Sequence, residues 1–141
     1  MDISEEVISQ CKSRLENNNR IEYRQVDINE LNFPANSFDL IVSNPPYVME
    51  MEKEFMKKNV LDYEPSQALF VSDTDPLLFY RAIISITVEK LNSGGWLFME
   101  INEKFGEEIK LMMKEAGINH NLMVNKDLNA KDRWVSGQKE I

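Results

Sequence analysis

The sequence predicts an α/β fold: a mostly parallel sheet with helices between its strands and an antiparallel element at its end. Three observations predict it. Apolar spacing alternates along the chain between the helical period and strand-like runs. Two of those runs, Leu40-Ile41-Val42 and Trp96-Leu97-Phe98-Met99-Glu100-Ile101, are apolar nearly throughout, as strands buried on both faces are. The connection between the last two strand-like segments, Asp127 to Asp132, is too short for a crossover helix, so those two strands should pair antiparallel.

The elements follow in order. Residues 4–18 read as a helix with Val7, Ile8, Cys11 and Leu15 on one face. Ser4 or Asp2 can cap it, Glu5 and Glu6 suit its positive end, and Asn17-Asn18-Asn19 stops it. Ile21, Tyr23 and Val26 mark a short strand over 21–26, leading into Asp27, and Pro34-Ala35-Asn36 forms a turn over 31–37. The strand at 38–43 ends in Asn44-Pro45-Pro46-Tyr47. Residues 48–75 are mixed and charged, a long functional loop with one short helix near 51–58. Pro76 opens a helix that runs to Leu91, with Leu78, Phe79, Ala82, Ile83 and Ile86 inward. Gly94-Gly95 turns the chain into the strand at 96–101. A helix over 104–116 carries Ile109, Met112, Met113 and Ala116 on one face and stops at Gly117. Strands at 120–126 and 133–138 complete the order α-β-β-α-β-α-β-β.

A chain of 141 residues has the length of one domain, spanning 1–141, with a real core. No apolar run is long enough for a membrane span, and Met1-Asp2-Ile3-Ser4-Glu5-Glu6 is not a secretory signal. The single cysteine, Cys11, excludes a disulfide framework and a cysteine-based zinc site. Together these point to the cytoplasm. Sixteen Lys plus Arg against 24 Asp plus Glu give a net charge of -8, which disfavours long nucleic acid and favours a protein or small-molecule substrate.

The segment that carries chemistry is Asn44-Pro45-Pro46-Tyr47. It follows an apolar strand directly, and open α/β sheets bind ligands beyond the carboxyl ends of their strands. The prolines fix φ, remove two backbone donors and hold the preceding residues extended, leaving the Asn44 and Pro45 carbonyls as acceptors. A planar amino group finds two acceptors here, the Asn44 side-chain oxygen and the Pro45 carbonyl, and Tyr47 adds a flat apolar face and a hydroxyl. Such a grip aims a nitrogen lone pair along one line, as in-line methyl transfer from a sulfonium donor requires. Positioning then carries much of the catalysis. The competing reading is a Pro-Pro turn with a capping asparagine.

The stretch Asp39-Leu40-Ile41-Val42-Ser43-Asn44-Pro45-Pro46-Tyr47 resembles motif IV of class I S-adenosylmethionine-dependent amino-methyltransferases. Asp62-Tyr63-Glu64-Pro65-Ser66-Gln67-Ala68-Leu69-Phe70 is similar to the corresponding segment of the release-factor glutamine methyltransferases. So are Leu91-Asn92-Ser93-Gly94-Gly95 leading into Glu100-Ile101, and the ending Lys126-Asp127-Leu128-Asn129-Ala130-Lys131-Asp132-Arg133. The resemblance implies N5-methylation of the glutamine in the Gly-Gly-Gln loop of peptide chain release factors, with S-adenosyl-L-methionine as donor. It assigns Asn44 and Pro45 to catalysis, and Asn44, Pro45, Pro46 and Tyr47 to the acceptor. It assigns Asp2, Asp27 and Asn44 to the donor, with no metal. Asp2 otherwise only caps the first helix, and Asp27 otherwise only ends a strand.

The chain departs from that family in one respect. Its five glycines, at 94, 95, 106, 117 and 137, leave the Asp2 region without the family's Gly-rich motif. The resemblance therefore implies an incomplete Rossmann-like class I methyltransferase sheet, the C-terminal part of a catalytic domain whose central first strand is missing. The family's strand order, resembling 3-2-1-4-5-7-6, then leaves the 38–43 strand with an open edge. Self-association through that edge, or a sheet rearranged to cover it, and weak donor binding are the expected consequences. Ala130, where the family usually has Gly, is a lesser departure. A nucleic-acid amino-methyltransferase that flips adenine or guanine, and a non-catalytic remnant, are the alternatives. His120 is expected to be an ordinary strand residue, Cys11 and Met112-Met113 core, and Glu52 to Lys58 a solvated face. Glu64 and Glu100 could support the site loop, without an assigned chemistry.

Overall fold

The computed structural model describes residues 1–15, 19–56, 58–63 and 65–140. They form two compact units, Met1–Phe33 and Pro34–Ile141.

In the first unit, helix α1 (Glu5–Arg14) starts where Ser4 Oγ accepts the Val7 N–H at 3.3 Å. Glu5 and Glu6 lie at its positive end and Lys12 and Arg14 at its negative end. Ile8 is its buried residue; Cys11 is only half-buried, and Val7 and Leu15 are exposed. The expected stop at Asn17-Asn18 lies outside the described residues. The expected strand at 21–26 reduces to one parallel bridge between Asp2 and Gln25. The Asp2 N–H donates to the Arg24 carbonyl at 3.2 Å, and the Val26 N–H donates to the Asp2 carbonyl at 3.0 Å. The ladder stops there because Ser4 already belongs to the helix cap.

The second unit holds a four-stranded sheet in the order β1-β4-β6-β5. Strand β1 (Phe38–Ser43) runs parallel to β4 (Leu91–Glu100), and β6 (Asp132–Lys139) pairs antiparallel with both β4 and β5 (Ile118–Lys126). This is the 4-5-7-6 half of the order expected from the sequence, with the antiparallel end in place. A second, small sheet pairs β2 (Val48–Met49) with β3 (Phe70–Val71) in parallel. Between them lie a 3-10 turn at Glu50–Phe55 and the short helices α2 (Lys58–Tyr63) and α3 (Ser66–Leu69). The segment read as a long loop is therefore more structured than the sequence predicts. Its pieces are too short to show a period.

Helices α4 (Leu78–Lys90) and α5 (Gly106–Glu115) pack on the sheet, α4 against β1 and β4, α5 against β5 and β6. The core joins Leu97, Met99, Val135 and Ile118 of the sheet with Tyr80, Ile83, Ile84, Ile109 and Met113 of the helices. The inward face of α4 is turned from the expected one. Leu78 is exposed, while Tyr80, Ile84 and Thr87 are buried. The Tyr80 hydroxyl accepts the Asn102 N–H at 3.0 Å, so a polar atom is satisfied inside and Tyr80 can take the central place. The end of α4 is closed by other elements. Asn36 and Ser37 N–H groups donate to the Glu89 and Lys90 carbonyls at 3.1 and 2.7 Å. Lys139 Nζ donates to the Val88 and Leu91 carbonyls, both at 2.7 Å.

Two expectations for the strands fail. Gly94 and Gly95 do not turn the chain; they lie within β4, at an irregularity where Phe38 pairs with Leu91 but Leu40 already pairs with Trp96. Gly94 takes φ 74°, which a glycine supplies without strain. Strand β1 is not buried on both faces. As an edge strand it leaves Leu40 54% and Val42 71% exposed, on the face whose register partners are Trp96 and Phe98. The Trp96 and Phe98 rings stack with centroids 5.6 Å apart. No helix among the described residues is long and apolar enough to cross a membrane.

Candidate active site

Asn44-Pro45-Pro46-Tyr47 leaves the carboxyl end of β1 as the sequence predicts. Asn44 is exposed and its carboxamide has no partner among the described residues, whereas Pro45 is buried and Tyr47 half-buried. The segment is thus pinned from behind and leaves one amide free.

Tyr47 is held at both ends. Its hydroxyl donates to Glu100 Oε1 at 2.6 Å, at the carboxyl end of β4. Arg133 Nη1 reaches the same hydroxyl at 3.4 Å, while Arg133 Nη2 and Nε donate to Asp127 Oδ2 at 3.1 and 3.3 Å. Burial first, and then the bond to the Glu100 carboxylate, push the Tyr47 hydroxyl up to about 12, so it remains a donor throughout the neutral range. Backbone N–H groups of Lys131 and Asn129, with Arg133, hold the Asp127 carboxyl below its ordinary range despite some opposing desolvation.

The main chain of Tyr47 is fixed by Asn102. Asn102 Nδ2 donates to the Tyr47 carbonyl at 3.1 Å and to Glu52 Oε2 at 2.8 Å. Glu52 Oε2 also accepts the Met49 N–H at 3.0 Å, and Lys104 Nζ lies 2.7 Å from Glu52 Oε1. Desolvation works to raise the Glu52 carboxyl, but Lys104, Met49 and Asn102 outweigh it, and the net direction is downward. Glu52 is therefore an anchor of the site loop and not part of a solvated face.

The acidic pair assigned to a donor lies in the other unit. Asp2 is one partner of the parallel bridge to Gln25, and its Oδ1 accepts the Ser4 N–H at 2.8 Å. Asp27 Oδ1 accepts both the backbone N–H and the side-chain Nδ2 of Asn29, each at 2.8 Å. Asp2 thus forms a turn ahead of α1, whose cap is Ser4, and Asp27, read otherwise as only ending a strand, caps the 3-10 turn Ile28–Glu30; in each the Oδ2 takes no part in those bonds.

Sequence reasoning missed Asn102 and Glu52 and left Glu100 without a role. The carboxyl-end rule that selected Asn44 applies equally to β4 and would have selected Glu100 and Asn102. Glu52 carries no such signal, since a Glu in a charged run reads as solvated. Glu64 lies outside the described residues. His120 is an exposed strand residue, and no group of three or more His, Cys, Asp and Glu that could hold a metal occurs among the described residues.

A parallel-then-antiparallel sheet with helices α4 and α5 packed on it, and a polar loop at its strand ends, is similar to part of a class I methyltransferase fold. The comparisons agree. A family model described as a methyltransferase domain matches residues 1–61. The N-methyltransferase NodS from Bradyrhizobium japonicum WM9, solved in complex with S-adenosyl-L-homocysteine, is similar in fold at a TM-score of 0.55 and 18% identity, over 97% of this chain and 62% of that one. By sequence the chain is similar to release factor glutamine methyltransferases. It is 41% identical over 140 residues to the release factor glutamine methyltransferase of Bacteroides thetaiotaomicron, covering 98% of this chain and 50% of that protein. It is 33% identical over 136 residues to that of Lactococcus lactis subsp. lactis, covering 96% and 49%. The chain spans about half the length of these two relatives.

Proposed function

We propose that this chain carries the acceptor side of an S-adenosylmethionine-dependent N5-methylation of the glutamine in the Gly-Gly-Gln motif of peptide chain release factors. The observation that carries the reading is the free Asn44 carboxamide on a loop pinned by Pro45 and by both ends of Tyr47. Asn44 Oδ1 and the Pro45 carbonyl accept the two amide hydrogens of the substrate glutamine, and Pro46 and Tyr47 shape the wall beside it. Holding both hydrogens fixes the plane of the amide and the direction of the nitrogen lone pair, which supplies the proximity term of catalysis.

The residues also fit the donor. Asp2, in a single parallel bridge just ahead of α1, offers its second oxygen to a ribose hydroxyl pair. Asp27 offers its second oxygen to the amino group of an adenine. The bound sulfonium donor supplies an electrophilic methyl group. We take the two units as parts of one catalytic domain that works in the cytoplasm. The outer edge of β1, with exposed Leu40 and Val42, is where a second copy pairs.

The acceptor side is tested without the donor. A peptide containing Gly-Gly-Gln is titrated into the chain by NMR, beside the same peptide with Gln→Glu and an adenine-bearing oligonucleotide. Binding of the first alone, weakened at least about tenfold by Asn44→Ala, supports the reading. Equal binding of the glutamate peptide, or a preference for the oligonucleotide, refutes it. Calorimetric titration with S-adenosylmethionine tests the donor side: saturable binding weakened by Asp2→Ala and by Asp27→Ala supports it, and no binding, or binding that neither change alters, refutes it.

A further inference from the structure

We propose that Asn102 is a positioning residue of the acceptor site, clamping the main chain of Tyr47 to Glu52 so that the Asn44–Tyr47 loop has one conformation; this rests on the reading of that loop as the acceptor site. Asn102 lies beyond the carboxyl end of β4, strand neighbour of β1, and is 6% exposed. Every polar atom of it is used. Its N–H donates to the Tyr80 hydroxyl at 3.0 Å, and its Oδ1 accepts the Lys104 N–H at 3.0 Å. Its carbonyl accepts the Phe105 N–H at 3.1 Å, and both Nδ2 hydrogens are spent, on the Tyr47 carbonyl and Glu52 Oε2. A buried carboxamide satisfied at every atom has one orientation, and the carbonyl it holds belongs to the residue that follows Pro45 and Pro46. Because the two prolines admit little rotation, fixing the Tyr47 carbonyl fixes the direction in which Asn44 presents its amide. Glu52 extends the clamp to Met49, at the start of the next segment.

Asn102→Asp tests the clamp because it keeps the shape and the Lys104 contact but replaces two donor hydrogens with an acceptor. The new carboxylate would face the Tyr47 carbonyl and Glu52. The other charged or titratable groups in reach are Lys104, already on Glu52, the Tyr80 hydroxyl, and Glu100 and Arg133 at the far end of Tyr47. Two carboxylates in contact raise the upper pKa of the pair. A raised pKa means that the clamp is present below it, where one shared proton restores a donor, and is lost as the pH rises through it.

Two readouts are taken at pH 5 and pH 8, each against the unaltered chain at the same pH: exchange of the Met49 amide hydrogen, and the Kd of the Gly-Gly-Gln peptide. In Asn102→Asp at pH 8, exchange is expected to accelerate and the Kd to rise about tenfold, with both recovering at pH 5. Asn102→Ala is expected to be impaired at both values. Unchanged Met49 exchange in Asn102→Asp at pH 8 overturns the clamp. So does accelerated exchange with an unchanged Kd, which would make Asn102 structural only. A chain that binds no peptide at all refutes the acceptor reading instead, and the clamp is then decided by the exchange and its pH profile.

Discussion

The contact between Tyr47 and Glu100 offers a quantitative check on how firmly the site loop is tied to the sheet. Tyr47→Phe removes one hydroxyl and leaves the ring in place. The lost bond, 2.6 Å to a carboxylate, belongs to a class worth about 1.5 to 3 kcal/mol when fully shielded. Here the Glu100 side chain is 33% and the Arg133 side chain 37% exposed, so water takes up part of the vacated carboxylate. The expected cost is therefore about 1 kcal/mol, or about 4 °C in Tm for a unit of this size. Both tryptophans, Trp96 and Trp134, lie in the Pro34–Ile141 unit, so urea unfolding followed by their fluorescence reports on that unit alone. The cycle is completed with Glu100→Ala and the double variant, where a coupling of about 1 kcal/mol is expected. An unchanged urea midpoint in Tyr47→Phe, or additive single changes, would show that the bond does not hold the loop.

Four further outcomes are expected. Tyr47 should titrate near 12 by tyrosine NMR, and Glu100→Gln should bring it down only part of the way, because burial is the larger cause; titration at the ordinary tyrosine value would contradict this. Since that pKa is raised on folding, its stabilisation is complete below about pH 10, where the unfolded tyrosine is still protonated, and is lost as the pH rises toward about 12. Gly137→Ala would place a Cβ 2.9 Å from Leu122 Cδ1, 3.0 Å from Ile118 Cγ2 and 3.1 Å from Met113 Cε. Overpacking against three side-chain ends should cost about 1 kcal/mol in urea unfolding, and no loss would mean that the pocket between β6 and α5 is slack. Val42→Lys, at a site 71% exposed, should change stability by less than about 0.5 kcal/mol yet lower the light-scattering mass if the β1 edge pairs between copies; a monomeric unaltered chain ends that proposal.

The sheet was legible because its strands carry their own patterns. Apolar runs marked β1 and β4, a short connection marked the β5–β6 pair, and the strand order followed from a family resemblance. Burial of β1 was misjudged for a physical reason: Leu40-Ile41-Val42 has the composition of a doubly covered strand, but an edge position leaves Leu40 and Val42 exposed. The inward face of α4 was misjudged because apolar spacing alone favours Leu78 over Tyr80, and only the Asn102 N–H explains why a phenol sits at the centre. The loop Asn44–Tyr47 was legible from its position after a strand. The groups that fix it, Glu52 and Asn102, were not, because a polar residue declares itself an anchor only through partners some 50 residues away in sequence.

Strand β6 follows β5 in sequence, yet it lies between β4 and β5 in the sheet, and its Lys139 closes the end of α4. Until Asp132–Lys139 has been synthesised, β4 has a partner on one side only, and β5 has none in this sheet. Joining β4 to β5 therefore depends on β6 and closes loops of long sequence separation. Before Asp132–Lys139 is in place, β4 and β5 present unpaired backbone edges, and such edges are where a partly folded chain is open to wrong pairing.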